Sequence, residues 1–203
     1  MSQPGGTGPA GYLGLPLQQF LSALASGSAA PGGGAAAALS VTLGASLCAM
    51  AARLSVRRLD GETAGQLTAR AERLRAAAAS LIQADADAYG RVISALRSPA
   101  GDDPAGRERA IAAALSDAAD VPMQIIALGA EVTRLAARLA ADGNPALRGD
   151  ASTAALLAEA GARSAAVLVR INLAGVPDDE RHRRAGSLLD TAARSASAAT
   201  RPS

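Results

Sequence analysis

One carboxylate in the sequence interrupts an otherwise apolar helical stripe. The stripe consists of Leu74, Ala78, Leu81, Asp85, Ala88 and Val92, whose spacings of three and four residues place these side chains on one face of a helix. Asp87 lies about 200° further round the helix and is expected to face water. Because an unpaired buried carboxylate is costly, Asp85 should meet an arginine, reach solvent where the stripe opens, or serve as a reactive group.

The glycine run Pro31-Gly32-Gly33-Gly34 is a second candidate for chemistry. It leads directly into a helical segment, whose first turn presents free backbone N–H groups and the positive end of the helix dipole to an anion or a carbonyl. The common phosphate-binding motifs need a following Lys-Ser/Thr or a preceding strand, and neither is found. The sequence therefore leaves open both a binding site and a plain helix-breaking turn.

Five further polar residues have both a structural and a functional interpretation. Arg57 and Arg58 end the second predicted helix, where cations suit the helix dipole, and they could instead hold the carboxylates of a substrate. Asn144 suits a turn, Asp150 a helix N-cap and Asn172 a helix C-terminus. Each of these three side chains could instead form a hydrogen bond with a ligand.

Composition argues against several functional classes. The 203 residues include one cysteine and one histidine, so we expect no disulfide framework, no metal centre and a cytoplasmic location. One Phe and two Tyr cannot form a base-stacking surface, and the arginines alternate with carboxylates, so nucleic acid is not an expected partner. The uncharged run 32–52 could span a bilayer by length but is mostly Ala, Gly and Ser, so no membrane insertion is expected.

Helical periodicity extends over most of the chain. It predicts a second helix over Ala35–Val56, one long helix over Glu62–Leu96, and two helices or one kinked helix over Gly106–Ala141. No useful strand pattern is found, so the predicted fold is an all-α antiparallel multi-helix bundle without significant sheet. Residues 1–14 are predicted to be a flexible tail and residues 15–197 a single domain. The 54 alanines favour close helix packing, with burial contributed by a second subunit.

Several segments, taken in order, resemble the cyclodeaminase/cyclohydrolase family, the folate-acting helical domain of formiminotransferase-cyclodeaminase and of free-standing bacterial methenyltetrahydrofolate cyclohydrolases. The resemblance extends from about Leu17 to Leu189. Its most specific segments are Ser28-Ala29-Ala30-Pro31-Gly32-Gly33-Gly34, Asp85-Ala86-Asp87-Ala88-Tyr89, Val121-Pro122, Gly143-Asn144 followed by Asp150, and Arg170-Ile171-Asn172-Leu173.

This resemblance implies a helical homodimer that acts on a tetrahydrofolate derivative and needs no further cofactor. It implies that Asp85 is the catalytic residue and that the glycine loop lines the folate pocket. The remaining substrate-binding candidates are Gly32, Gly33, Gly34, Arg57, Arg58, Asn144, Asp150 and Asn172. Arg57 and Arg58 would meet carboxylates of the pterin or of the glutamate tail.

Three functions remain open at this point. The expected one is hydrolysis of 5,10-methenyltetrahydrofolate to 10-formyltetrahydrofolate, because the sequence carries no formiminotransferase half to supply a formimino substrate. The alternatives are ammonia-releasing cyclodeamination of formimidoyltetrahydrofolate and folate binding without turnover. Ala35 and Leu168 stand where the family has a serine and an asparagine, and the family's lysines or aromatic residue near Leu59 are missing.

Overall fold

The computed structural model describes residues 11–99 and 103–201, which fold into seven α-helices and contain no strand. The helices are α1 (Leu17–Leu24), α2 (Gly33–Arg53), α3 (Gly61–Arg97), α4 (Pro104–Ala118), α5 (Asp120–Asp142), α6 (Arg148–Asn172) and α7 (Glu180–Thr200). Short 3-10 turns form at Tyr12–Gly14 and Pro145–Leu147. The predicted all-α bundle is confirmed.

The long helix α3 and the break between α4 and α5 follow from local sequence. Asp60 caps α3 by accepting a hydrogen bond from the Thr63 N–H at 2.8 Å. The helix then continues for 37 residues, one residue longer at each end than predicted. Ala119 separates α4 from α5, so the stretch predicted as two helices or one kinked helix is two helices. Helix α2 begins two residues earlier than predicted because Gly33 and Gly34 join its first turn, and it ends at Arg53 in a turn.

Helix α6 lies in the middle of the bundle, against α2, α5 and α7. Its buried side chains are small: every one is alanine or glycine except Val169. A Cβ added at Gly44 of α2 would lie 2.7 Å from the Ala154 carbonyl oxygen, and one added at Gly161 would lie 2.7 Å from the Ala37 carbonyl oxygen. These contacts also show that α2 and α6 are antiparallel. The alanine and glycine content thus allows close backbone approach, as expected from composition.

The N-terminal boundary differs from the prediction. Residues 1–10 of the predicted tail lie outside the described residues, but Tyr12–Gly14 belong to the folded domain. The Tyr12 N–H donates to Gln83 Oε1 at 3.2 Å, and the Tyr12 ring meets Phe20 edge-on with centroids 6.1 Å apart. The contact between the Tyr12 and Phe20 rings explains why Tyr12–Gly14 pack against the helices.

Two helical stretches pass the length and composition test for a membrane span, α2 and the stretch Pro104–Asp142. Most of the apolar window of α2 is buried inside the bundle, as is typical of a core helix. Cys48 on α2 is likewise fully buried, and burial raises the pKa of its thiol to about 12. Cys48 is therefore a small core residue.

Candidate active site

Asp85 extends from α3 against the first turn of α2. Its carboxylate lies so close to Gly34 that a Cβ added to that glycine would overlap both carboxylate oxygens. The Ala35 N–H donates a hydrogen bond to Asp85. Glycine at position 34 therefore lets the carboxylate approach the backbone, and the two candidates, found separately in the sequence, form one local structure.

The environment of Asp85 favours its protonated form. Burial raises the pKa of Asp85 above its usual range, and the hydrogen bond from Ala35 acts in the opposite direction. No arginine forms an ion pair with Asp85 in the described parts of the chain. The cross-bundle arginine that would explain Asp85 structurally is not found there. Asp87, in contrast, is exposed as predicted and accepts a hydrogen bond from Gln83 Nε2 at 2.8 Å.

A cavity of about 340 Å³ opens beside Asp85, large enough for a small-molecule ligand. It lies where the N-terminus of α2, the middle of α3 and the C-terminus of α6 meet. Its lining residues are Ala29, Ala30, Gly32, Gly33, Gly34, Asp85, Ala88, Tyr89, Ala118, Leu168, Ile171 and Asn172. Of the residues predicted from the sequence, the cavity thus collects Asp85, the three glycines and Asn172.

The N-terminus of α2 contributes polar groups to this apolar cavity. The N-cap residue is Gly32, which has no side chain that could accept hydrogen bonds from the first turn of α2. The backbone N–H of Ala35 donates to Asp85. The N–H groups of Gly33 and Gly34 have no hydrogen-bond partner among the described residues. Together with the positive end of the helix dipole, they favour a carbonyl or an anionic group of a ligand.

Seven of the twelve lining residues were not among the site candidates predicted from the sequence, and three of these seven are informative. Tyr89 is 45% exposed and lies one helical turn after Asp85, so the i, i+4 relation could have indicated it. Ile171 is 61% exposed, which is unusual for so large an apolar side chain beside a cavity. Ala118 comes from the α4–α5 junction, and no local sequence pattern could have placed it here.

Four predicted binding residues lie elsewhere in the same chain. Arg57 and Arg58 follow the C-terminus of α2, and the 21 residues of that helix separate its two ends by about 30 Å. Asn144 also lies at this far end, because its Nδ2 donates to the Leu54 carbonyl oxygen at 3.3 Å. Asp150 is in the first turn of α6, which is antiparallel to α2, and it is not the N-cap. One chain therefore does not gather the whole predicted set around one cavity.

Asn144 has a structural role at that end. Its Oδ1 accepts from the Ala146 N–H at 3.1 Å, and its backbone N–H donates to the buried Ser55 hydroxyl at 2.9 Å. With the bond to Leu54, these contacts join the turn after α2 to the turn before α6. These contacts agree with the prediction that Asn144 is a turn residue.

The cavity can support acid–base chemistry at one position. Asp85 is a single, partly buried carboxylate that can accept or donate a proton and can stabilise a neighbouring cation. Among the described residues, no three His, Cys, Asp or Glu side chains lie close enough together to hold a metal ion. The apolar walls and Tyr89 suit a flat, partly apolar ligand.

Comparison with known proteins identifies relatives of this chain. Residues 16–190 match the family model described as Formiminotransferase-cyclodeaminase. The chain is 36% identical to methenyltetrahydrofolate cyclohydrolase of Methylorubrum extorquens over 80% of this chain and 81% of that protein. It is 35% identical to formimidoyltransferase-cyclodeaminase of Sus scrofa over 87% of this chain, but the match spans 35% of that longer protein.

A solved structure has the same fold. Formiminotetrahydrofolate cyclodeaminase from Thermotoga maritima superimposes with a TM-score of 0.77 at 25% identity, over 92% of each chain. The sequence match covers most of the domain and includes both the glycine loop and the Asp85 segment. The chain belongs to the formiminotransferase-cyclodeaminase family.

Proposed function

We propose that this chain is a folate one-carbon enzyme, a methenyltetrahydrofolate cyclohydrolase that converts 5,10-methenyltetrahydrofolate to 10-formyltetrahydrofolate. The observation that carries the proposal is the unpaired, partly buried Asp85 beside a ligand-sized cavity. The relative with this activity in its name matches the chain over most of both lengths. We also propose that the working form is a homodimer.

Hydrolysis needs a group that stabilises a cation and accepts a proton. The methenyl bridge is an amidinium cation. The Asp85 carboxylate would attract this cation, and the attraction is stronger in a partly buried cavity than in water because the local dielectric constant is lower. Water adds to the bridging carbon to form a C–O bond, and Asp85 takes a proton from that water. Asp85 gives that proton to N5 as the bond between the carbon and N5 breaks with its electron pair on N5, and the hydroxyl group on the carbon loses its proton as the formyl group forms on N10. One net proton is released.

The glycine loop would orient the substrate. The N–H groups of Gly33 and Gly34 can donate to a carbonyl oxygen of the pterin, and the Asn172 amide can donate or accept at the opposite wall. Tyr89 would pack on the flat ring system. A site with an apolar wall and few polar groups fixes one orientation of the bridge relative to Asp85.

The test measures the loss of methenyltetrahydrofolate absorbance with wild type, Asp85→Asn and Asp87→Asn. Asp85→Asn should lower kcat by about 10²- to 10⁴-fold, whereas the exposed control Asp87→Asn should remain near wild type. Circular dichroism establishes that both variants fold. If folded Asp85→Asn retains the full rate, Asp85 is not catalytic. Binding of methenyltetrahydrofolate without turnover by the wild type would reject the cyclohydrolase assignment.

Cyclodeamination is the second candidate, because the solved relative at a TM-score of 0.77 carries that activity in its name. In that reaction N10 attacks the formimino carbon, and protonated Asp85 would give its proton to the departing ammonia. The raised pKa of Asp85 suits this role as well. Measuring ammonia release from formimidoyltetrahydrofolate beside the hydrolysis assay decides between the two by the ratio of their kcat/KM values.

A further inference from the structure

One arginine of α7 holds the junction between α4 and α5. The Arg181 guanidinium donates five hydrogen bonds, which reach two places in the chain. On α7, Nε and Nη2 donate to the two carboxylate oxygens of the N-cap Asp179, at 3.0 and 2.8 Å. At the junction, the carbonyl oxygen and the hydroxyl of Ser116 accept at 2.9 and 2.8 Å, and Asp120 Oδ1 accepts at 2.8 Å. One guanidinium thus joins the end of α4, the start of α5 and the start of α7.

The charges at this junction favour the same contacts. Hydrogen bonds from Arg181 lower the pKa of Asp179 to about 2, and the hydrogen bonds to Asp179 raise the pKa of Arg181 above its ordinary value. The two side chains are 19% and 17% exposed, so solvent screens this pair less than a fully exposed one. The guanidinium also lies at the C-terminus of α4, where a cation suits the helix dipole, and Asp120 lies in the first turn of α5, where an anion does.

Helix α4 has little buried apolar surface with which to fix its own end. Ala118 is the one buried side chain among the 15 residues of α4, all of which the structure describes. Helix α5, in contrast, buries twelve residues. The N-cap of α5 is Ala119, which provides no side-chain cap. The hydrogen bonds from Arg181 on both sides of Ala118 therefore supply directional contacts that fix the position of the junction.

The same junction forms part of the cavity wall. Ala118 is 7% exposed, lines the cavity together with Asp85, and lies two residues from each junction residue that Arg181 contacts. Arg181 itself is not among the residues that line the cavity, so its effect on a ligand there must act through the wall. The Asp85 carboxylate, in contrast, is positioned by α3 and by the first turn of α2 at Gly34.

We propose that Arg181 is a positioning residue for substrate binding: by holding the α4–α5 junction, it keeps Ala118 in place as an apolar wall against the flat ring system of the substrate. A displaced wall would loosen its contact with the bound substrate and with the transition state alike. Substrate affinity should then fall while the chemical step at Asp85 is retained. The nature of the ligand rests on the proposed function, whereas the position of the junction does not.

Steady-state kinetics on wild type, Arg181→Ala, Arg181→Lys and Arg163→Ala test the proposal. Arg181→Ala should raise KM about 10-fold and change kcat by less than about twofold. Arg181→Lys keeps the charge but lacks the planar fork of donors, so KM should rise by a smaller factor. Arg163→Ala is the control, because Arg163 forms an exposed ion pair with Glu159 within α6, and this variant should remain near wild type.

The parameter that changes separates positioning from general stability. If part of the sample unfolds, the apparent kcat falls and KM is unchanged, because the remaining folded enzyme binds substrate normally. A folded Arg181→Ala enzyme with wild-type KM therefore overturns the proposal, whatever its kcat. The double variant Ser116→Ala/Asp120→Ala keeps the pair between Arg181 and Asp179 but weakens the contact with the junction, so it should also raise KM. If Arg181→Ala does not fold, this double variant decides by the same criterion.

Hydrogen exchange tests the junction without any substrate, so it distinguishes failure of this proposal from failure of the proposed function. Amides in residues 112–123 should exchange about 10-fold faster in Arg181→Ala than in wild type, because local opening costs less there. Amides in residues 33–41, at the start of α2, should keep their wild-type rates, and Arg163→Ala should change neither segment. Unchanged exchange at 112–123, or equally faster exchange in both segments, overturns the role of Arg181 at the junction.

Discussion

The two ends of α2 differ in how their polar groups are used. At the N-terminal end, Asp85 has no ion-pair partner within the described ranges, two backbone N–H groups are free, and a cavity lies beside them. At the C-terminal end, the polar atoms of Asn144 and Ser55 are hydrogen-bonded to one another and to nearby backbone. Unsatisfied polar groups beside an opening indicate a reactive site, whereas satisfied groups between turns indicate structural support.

A substitution at Gly34 should have the largest effect on the N-terminal end of α2. Gly34→Ala adds a methyl group where the Asp85 carboxylate now lies, so the carboxylate must move and kcat should fall by about 100-fold or more. Gly65→Ala is the matched control, since a Cβ there meets nothing within 4 Å inside α3. A folded Gly34→Ala enzyme with wild-type kcat would show that the position of Asp85 does not matter.

A smaller effect is expected at Tyr89. Tyr89→Ala removes the one aromatic side chain of the cavity lining and should raise KM about 10-fold with a smaller change in kcat. Tyr89→Phe should keep the wild-type KM, because the ring is retained. Steady-state kinetics on wild type, Tyr89→Ala and Tyr89→Phe check this. Equal KM values for all three would show that Tyr89 does not contact the substrate.

At the opposite end the expected effect is on stability. Ser55→Ala leaves the Asn144 N–H without its buried partner and should lower the free energy of unfolding by about 1–3 kcal/mol. Ser46→Ala loses only the hydrogen bond to the Thr42 carbonyl oxygen and should be nearly neutral. Urea denaturation measures both. If Ser55→Ala were as stable as Ser46→Ala, this end would not have the structural role described here.

The smallest predicted effect is the pH dependence of stability that Asp85 causes. Because its pKa is raised on folding, Asp85 stabilises the fold fully at pH values below its unfolded pKa, and that contribution is lost as the pH rises through the folded pKa. Asp85→Asn should therefore unfold at a higher temperature than wild type at neutral pH, with the difference shrinking in acid. Thermal melts at several pH values test the sign, and a lower Tm for Asp85→Asn at neutral pH contradicts it.

Much of the fold and part of the site could be predicted from the sequence. Helical periodicity located α3 and put Asp85 on its apolar face because that period fixes the direction of each side chain. The contact between Asp85 and Gly34 depends on how α2 packs on α3, which no local pattern specifies. The separation of Arg57 from Gly34 follows from the length of α2, whereas a family resemblance gives a set of site residues without their positions in space.

The most direct test of the account is a carbon-13 NMR titration of the Asp85 carboxyl, assigned by comparison with Asp85→Asn. The pKa of Asp85 should lie above the usual aspartate range, and adding the stable analogue 5-formyltetrahydrofolate should shift the Asp85 resonance while that of exposed Asp87 changes little. If Asp85 titrates in the usual range and does not respond to the folate, the N-terminal end of α2 is not the active site.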